Sequence, residues 1–265
     1  MIEPQRIGRF LSVDEFGYIE PDVAIEHVGT IWQPLVAFVR DALMSRPGVG
    51  SVYLRGSIAR GLAIENVSDA DFIYFSEINF DLADVELEEA VATKFPIVKG
   101  LELFRLGRAV FDKIRPWRRR PYFHMLLKTQ CLFLGGDDIA KDIAPFRVGP
   151  DMVSHAFSLQ GEFARLPRLL QQGCNSGVEQ TMWQWFSRRI VRSGLEVTMD
   201  RSDRFTRDLY LCYEQFAEFY PEQAEPMFHV LTNCLNGKES PLQYGELVAF
   251  LVAEGARLTA AASVR

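Results

Sequence analysis

The chain has 265 residues and only four cysteines, Cys131, Cys174, Cys212 and Cys234. None forms a CxxC pair, so the spacing of a zinc ribbon is missing and reduced thiols of a cytoplasmic protein are expected. Long apolar runs are missing too. The longest, Leu247 to Ala253, is far shorter than the ~20 residues that a membrane span requires. The opening MIEPQRIGRF has no apolar segment of the secretory kind. Positive charge is in deficit, with 29 Lys and Arg against 35 Asp and Glu, a net charge of −6. A surface negative on balance repels phosphate backbones and argues against bulk nucleic-acid binding, while leaving room for a local basic site. Repeats and low-complexity stretches are absent. What is present is an apolar content of 48%, enough for a packed core and too much for a disordered chain.

Two patterns divide the sequence. Up to about residue 145, helical and strand-like segments alternate. Apolar residues at helical spacing predict a helix over 23–45, stopped by Arg46-Pro47-Gly48. Strands are expected over 51–54, 71–75, 97–106 and 131–134, and helices over 58–64, 82–94 and 121–130. This alternation predicts an α/β (α+β) layer with a mixed sheet. Beyond Pro145, Gly149 and Pro150 the pattern is helical, over 151–172, 177–200, 206–219, 222–236 and 241–261, as in a helical bundle. Two domains are expected, 1–148 and 149–265.

One stretch carries chemistry: Leu54-Arg55-Gly56-Ser57-Ile58-Ala59-Arg60-Gly61, followed by Ser68-Asp69-Ala70-Asp71. Gly56-Ser57 falls where a strand hands over to a helix. A glycine there lets a ligand approach the backbone, unpaired N–H groups face an anion, and the serine hydroxyl adds a donor. Asp69 and Asp71, two apart at a strand start, project to one face. Two carboxylates aimed at one spot repel unless a cation lies between them, and beside phosphates Mg²⁺ is the usual oxygen-ligated ion. Glu102, in the apolar run Leu101 to Phe104, is the candidate third carboxylate, since a charge in such a strand requires a partner.

Gly-Ser followed by an aspartate pair resembles the nucleotidyltransferase superfamily that includes DNA polymerase β. The forms Gly56-Ser57-x-x-Arg60-Gly61 and Ser68-Asp69-x-Asp71 are most similar to its small bacterial branch, the minimal and aminoglycoside nucleotidyltransferases. The two-part layout resembles the streptomycin/spectinomycin adenylyltransferases. The resemblance covers roughly 50–106 and is architectural beyond 150. It implies a polymerase β-like domain with a mixed sheet and then an all-α bundle, two Mg²⁺ ions, an NTP donor such as ATP, and transfer of a nucleoside monophosphate to a hydroxyl with loss of pyrophosphate.

By the same resemblance, Gly56 and Ser57 hold the terminal phosphates, with Ser68 nearby and Arg60 part of the motif. Asp69, Asp71 and Glu102 are catalytic and hold metal, Glu102 also serving as general base. Thr206-Arg207-Asp208 resembles the Ser-Lys-Asp element of the streptomycin enzymes, with Arg207 replacing a phosphate-binding lysine. Arg189, Arg192 and, more weakly, Lys128 are further candidates for the nucleotide, gripped between the two domains. Arg192 has an alternative partner in Glu196 at i+4, and Arg207 in Asp203 or Asp208. Three functions stay open on sequence. The acceptor is a small hydroxyl compound such as an aminoglycoside, as in antibiotic resistance; or it is a protein or tRNA end, for which the basic run Arg115 to Pro121 is the support; or the chain is a silent nucleotide-binding module. The oligomeric state cannot be read from the sequence.

Overall fold

The computed structural model describes residues 2–113, 122–153, 155–171 and 176–262. The basic run 115–121 and Cys174 lie outside them. The chain forms two compact units, Ser12–Phe146 and a second made of Met1–Leu11 with Arg147–Arg265.

In the first unit the element order is α1 (Gln33–Met44), β1 (Val49–Arg55), α2 (Gly56–Ala59), β2 (Ala70–Ser76), α3 (Asp81–Lys94), β3 (Leu101–Leu106), α4 (Arg108–Lys113), α5 (Tyr122–Gln130) and β4 (Cys131–Gly136). The four strands are ordered β3-β2-β1-β4. β1 pairs antiparallel with β2 and β4, and β2 parallel with β3, so the sheet is mixed as expected.

Val52, Tyr53 and Leu54, like Phe72 to Phe75, are a continuous apolar run because both faces of the sheet are covered. Val52, Leu54, Phe72 and Tyr74 pack with Leu35, Val39 and Leu43 of α1 and Val91 of α3. Tyr53, Ile73, Phe75 and Leu106 pack on the other face with Phe111 and with Leu126 and Leu127 of α5.

The expected helix over 23–45 is shorter. A single 3-10 turn at Ile25–His27 precedes it, and α1 begins at Gln33. Pro34 fixes that start, because proline lacks an N–H and is tolerated in a first turn. The helix expected over 58–64 is the single turn α2, which ends where Gly61 turns to φ +70°.

The second unit comprises α6 (His155–Phe163), α7 (Leu166–Gln171), α8 (Ser176–Glu196), α9 (Leu209–Phe219), α10 (Ala224–Asn236) and α11 (Gly245–Ala262). Helix α8 packs on α6, α9, α10 and α11. It buries Phe186, Ile190, Val191 and Leu195 at helical spacing. The segment 151–172 breaks into α6 and α7 because Pro167 can stand only in a first turn, that of α7. A division at 148 would leave the first eleven residues with the sheet. They belong instead to the helical unit, where Leu11 N–H donates to Phe205 O at 2.8 Å.

Candidate active site

The sheet register assembles the acidic residues. Arg55, Asp71 and Glu102 are direct neighbours across β1, β2 and β3: Arg55 opposes Asp71, and Asp71 opposes Glu102. Their parity is that of Tyr53, Ile73 and Leu106, so all three project from one face. Arg105 does not displace this register. Its guanidinium donates to Ser76 O at 3.2 Å.

The row places one cation beside two adjacent carboxylates. Arg55 Nη2 lies 2.7 Å from Asp71 Oδ1 and 3.6 Å from Glu102 Oε2. Asp71 is largely enclosed, with 18% of its side chain exposed, whereas Glu102 is 62% exposed. Burial is the main reason that the Asp71 carboxyl is pushed up to about 7. Arg55 acts to lower it, while the hydrogen-bonded Glu102 and then Asp69 raise it. Burial and the two neighbouring carboxylates together outweigh the one arginine.

Gly56 is required at this spot. Its φ of +77° suits glycine, and a Cβ there would stand 2.3 Å from Asp71 Oδ2. The bare backbone therefore lies directly against the carboxylate, with Ser57 next in sequence. Asp69 leads into β2 from a loop held by Ser68, whose hydroxyl accepts from Ile64 N–H at 2.9 Å. Ala70 N–H donates to Gly100 O at 2.8 Å, and Asp69 Oδ2 lies 3.4 Å from Lys99 Nζ.

Among the described residues, no three Asp, Glu, His or Cys side chains are already gathered closely enough for a metal ion. Lys99 draws on Asp69, and Arg55 draws on Asp71 and Glu102. The donor set nevertheless fits Mg²⁺. It consists of hard carboxylate oxygens, and at Asp71 burial first, then the neighbouring Glu102 and Asp69, disfavour a charge that a divalent cation would offset.

Other expected residues lie elsewhere. Arg60 pairs with the buried Asp22, and Lys128 Nζ donates to Ala140 O at 3.0 Å. Arg189, Arg192 and Arg207 belong to the helical unit. There they act together on buried His155, whose imidazole is held well below its ordinary value by burial and then by Arg192, Arg207 and Arg189. Arg189 also pairs with Glu162 and lies 4.7 Å over the Trp185 ring. Glu196 faces this group. Its carboxylate accepts from His155 and Ala156 N–H at 3.1 and 2.9 Å, which caps α6. Cys212 reports the same charges. Burial lifts its thiol to about 12, Arg192 and Arg207 oppose the rise, and Asp208 and Glu196 add to it.

Sequence reasoning missed Arg55 and Lys99. A charge ending the apolar run Val52 to Leu54 was the signal for Arg55. Lys99 carries no comparable signal, since only the register of β3 brings it to Asp69.

Residues 38–105 match the family model of the nucleotidyltransferase domain. This segment holds Gly56, Ser57, Ser68, Asp69, Asp71 and Glu102. No curated protein matches the chain by sequence. Among solved structures, a spectinomycin adenyltransferase from Enterococcus faecialis, solved with ATP and spectinomycin, is similar with a TM-score of 0.51 and 13% identity. The match covers 85% of this chain and 98% of that one. At this identity the likeness is one of fold, and it extends through the sheet and the helices that follow.

Proposed function

We propose that this chain, a nucleotidyltransferase by its matched domain and its fold, moves AMP from ATP to a hydroxyl of a small cationic acceptor such as an aminoglycoside. The observation that carries the reading is the row Arg55–Asp71–Glu102, in register across three strands, with the Gly56 backbone against Asp71. The similar adenyltransferase, solved with ATP and spectinomycin, supports the choice of donor and acceptor class.

In this reading Asp69 and Asp71, with Glu102 as third carboxylate, hold Mg²⁺. When bound, the metal neutralises triphosphate charge and stabilises charge building on the leaving oxygens. Gly56 and Ser57 receive the terminal phosphates, and Arg189, Arg192 and Arg207 are the phosphate-binding cations of the helical unit. The acceptor oxygen attacks the α-phosphorus and forms the new P–O bond. The bond from that phosphorus to the bridging oxygen breaks, and pyrophosphate leaves with the electron pair. The hydroxyl proton passes to the Glu102 carboxylate, whose exposure lets an acceptor reach it. The same carboxylate recognises cationic groups on the acceptor. Catalysis otherwise consists of positioning and charge stabilisation.

No helix among the described residues is long and apolar enough to cross a membrane, and Cys212 and Cys234 are buried free thiols. Both fit action in the cytoplasm on soluble compounds. The test is incubation with ATP, Mg²⁺ and a panel of aminoglycosides and aminocyclitols, followed by mass spectrometry. One acceptor should gain the mass of one AMP. A panel without an adduct rejects this acceptor class.

A further inference from the structure

The first eleven residues run over the helical unit and bury little. Of residues 2–11, only Leu11 is buried. Their hold is polar. At one end Asn236 clamps Ile2, accepting from its N–H at 3.0 Å and donating to its carbonyl at 2.9 Å. Arg6 pairs with Glu214 at 3.0 Å. At the other end the segment runs beside Phe205 to Asp208. Arg9 N–H donates to Asp208 Oδ2 at 2.9 Å, the Thr206 hydroxyl donates to Arg9 O at 2.8 Å, and Leu11 N–H donates to Phe205 O at 2.8 Å. Thr206 Oγ1 in turn accepts from Asp208 N–H at 3.1 Å.

Both flanks of Arg207 are therefore tied to the N–H and carbonyl of a single residue, Arg9. A glycine makes this possible. Gly8 has φ +103°, and a Cβ on it would stand 2.0 Å from Asp208 Oδ2. Any side chain at position 8 would drive the Asp208 carboxylate from its bond with Arg9. A strap fixed by hydrogen bonds, with almost no apolar burial, is poorly suited to stabilising a core. It is well suited to fixing the path of the short segment it borders, between α8 and α9.

We infer that the N-terminal strap positions Arg207 for phosphate, with Gly8, Thr206 and Asp208 as positioning residues. The inference rests on the reading of Arg207 as a phosphate ligand. It makes the affinity of the helical unit for nucleotide depend on residues 197 positions away along the chain, as for Arg9 and Thr206.

The test is a double-mutant cycle on binding of ATP with Mg²⁺, read by titration calorimetry, with thermal melts to show that each variant is folded. Arg207→Ala should weaken binding about tenfold, the loss expected for one charge-assisted phosphate contact. Gly8→Ala should weaken it by a similar factor. The double variant should be no worse than Arg207→Ala alone, because a misplaced arginine cannot be lost twice. Asp208→Asn keeps an acceptor for Arg9 N–H and should bind nearly as the parent does, whereas Asp208→Ala should not. Thr206→Val gives the same reading by a milder change should Gly8→Ala not fold. Additive losses, or parental binding by Gly8→Ala and Thr206→Val while Arg207→Ala is weakened, would overturn the strap. Parental binding by Arg207→Ala would overturn the reading of Arg207 itself, and the strap with it.

Discussion

The two units solve opposite electrostatic problems. In the sheet unit, carboxylates meet across neighbouring strands, with Asp71 between Arg55 and Glu102 and one arginine for the two. In the helical unit, three arginines disfavour charge on a buried imidazole, and Glu196 and Asp208 act against two of them at Cys212. Burial moves Asp71 up and His155 down, and in each case charged neighbours add to the shift: carboxylates at Asp71, arginines at His155. The contrast teaches that the chain's net negative charge says little about ligand choice, since charge is sorted by unit.

The largest effect that would break the comparison is on chemistry. Asp71→Asn should lower the rate of nucleotide transfer by on the order of 10³-fold, as expected when a group central to charge stabilisation is lost. Losses at the arginines should fall mainly on ATP binding. Equal losses of turnover from both units would erase the division. Next comes Gly56→Ala, whose Cβ would meet Asp71 Oδ2 at 2.3 Å. Displacement of that carboxylate should cost roughly 10²-fold in transfer rate, measured at saturating ATP.

A smaller effect concerns stability. Arg55→Met leaves the Asp71 and Glu102 carboxylates without their countercharge, and denaturant melts without metal should show a loss of about 1–3 kcal/mol. Added Mg²⁺ should recover more of the loss in this variant than it adds to the parent. The same gain in both proteins would mean that the row is not where the metal binds.

The smallest effect sharpens the contrast by pH, read from melting temperatures in EDTA. Asp71 titrates near 7 when folded against 3.8 ordinarily. The folded protein holds that proton more tightly, so stability is fullest below about pH 4 and declines as pH rises through 7. His155 titrates below its ordinary 6.5, so its contribution is present above that pH and is lost as pH falls below it. Asp71→Asn should flatten the first decline and His155→Gln the second. A single slope unaffected by either change would show that the two groups are not shifted in opposite directions.

Much of the site was legible because its logic is local. Gly56, Ser57, Asp69 and Asp71 lie within sixteen residues, and alternation along a strand gives the aspartates a common face. Glu102 could be nominated because a carboxylate in an apolar run demands a reason. The limits of the sequence are those of register and distance. Nothing local tells that Arg55 stands opposite Asp71, or that Arg60 would be taken by Asp22, 38 residues away. Helix α1 misled through Val23, Ile25 and Val28, whose helical spacing continues across a stretch that Pro34 keeps outside the helix. The N-terminal strap was invisible, because its bonds reach about 200 residues along the chain and rest on backbone groups, which every residue has.

The most direct measurement follows label from ATP carrying radioactive phosphorus at the α-position, with Mg²⁺ and the acceptor found in the panel, in the parent and in Asp71→Asn. Label should pass to the acceptor with one pyrophosphate released per transfer, and only in the parent. Label that stays in ATP with every acceptor, or transfer that persists in Asp71→Asn, would contradict the account.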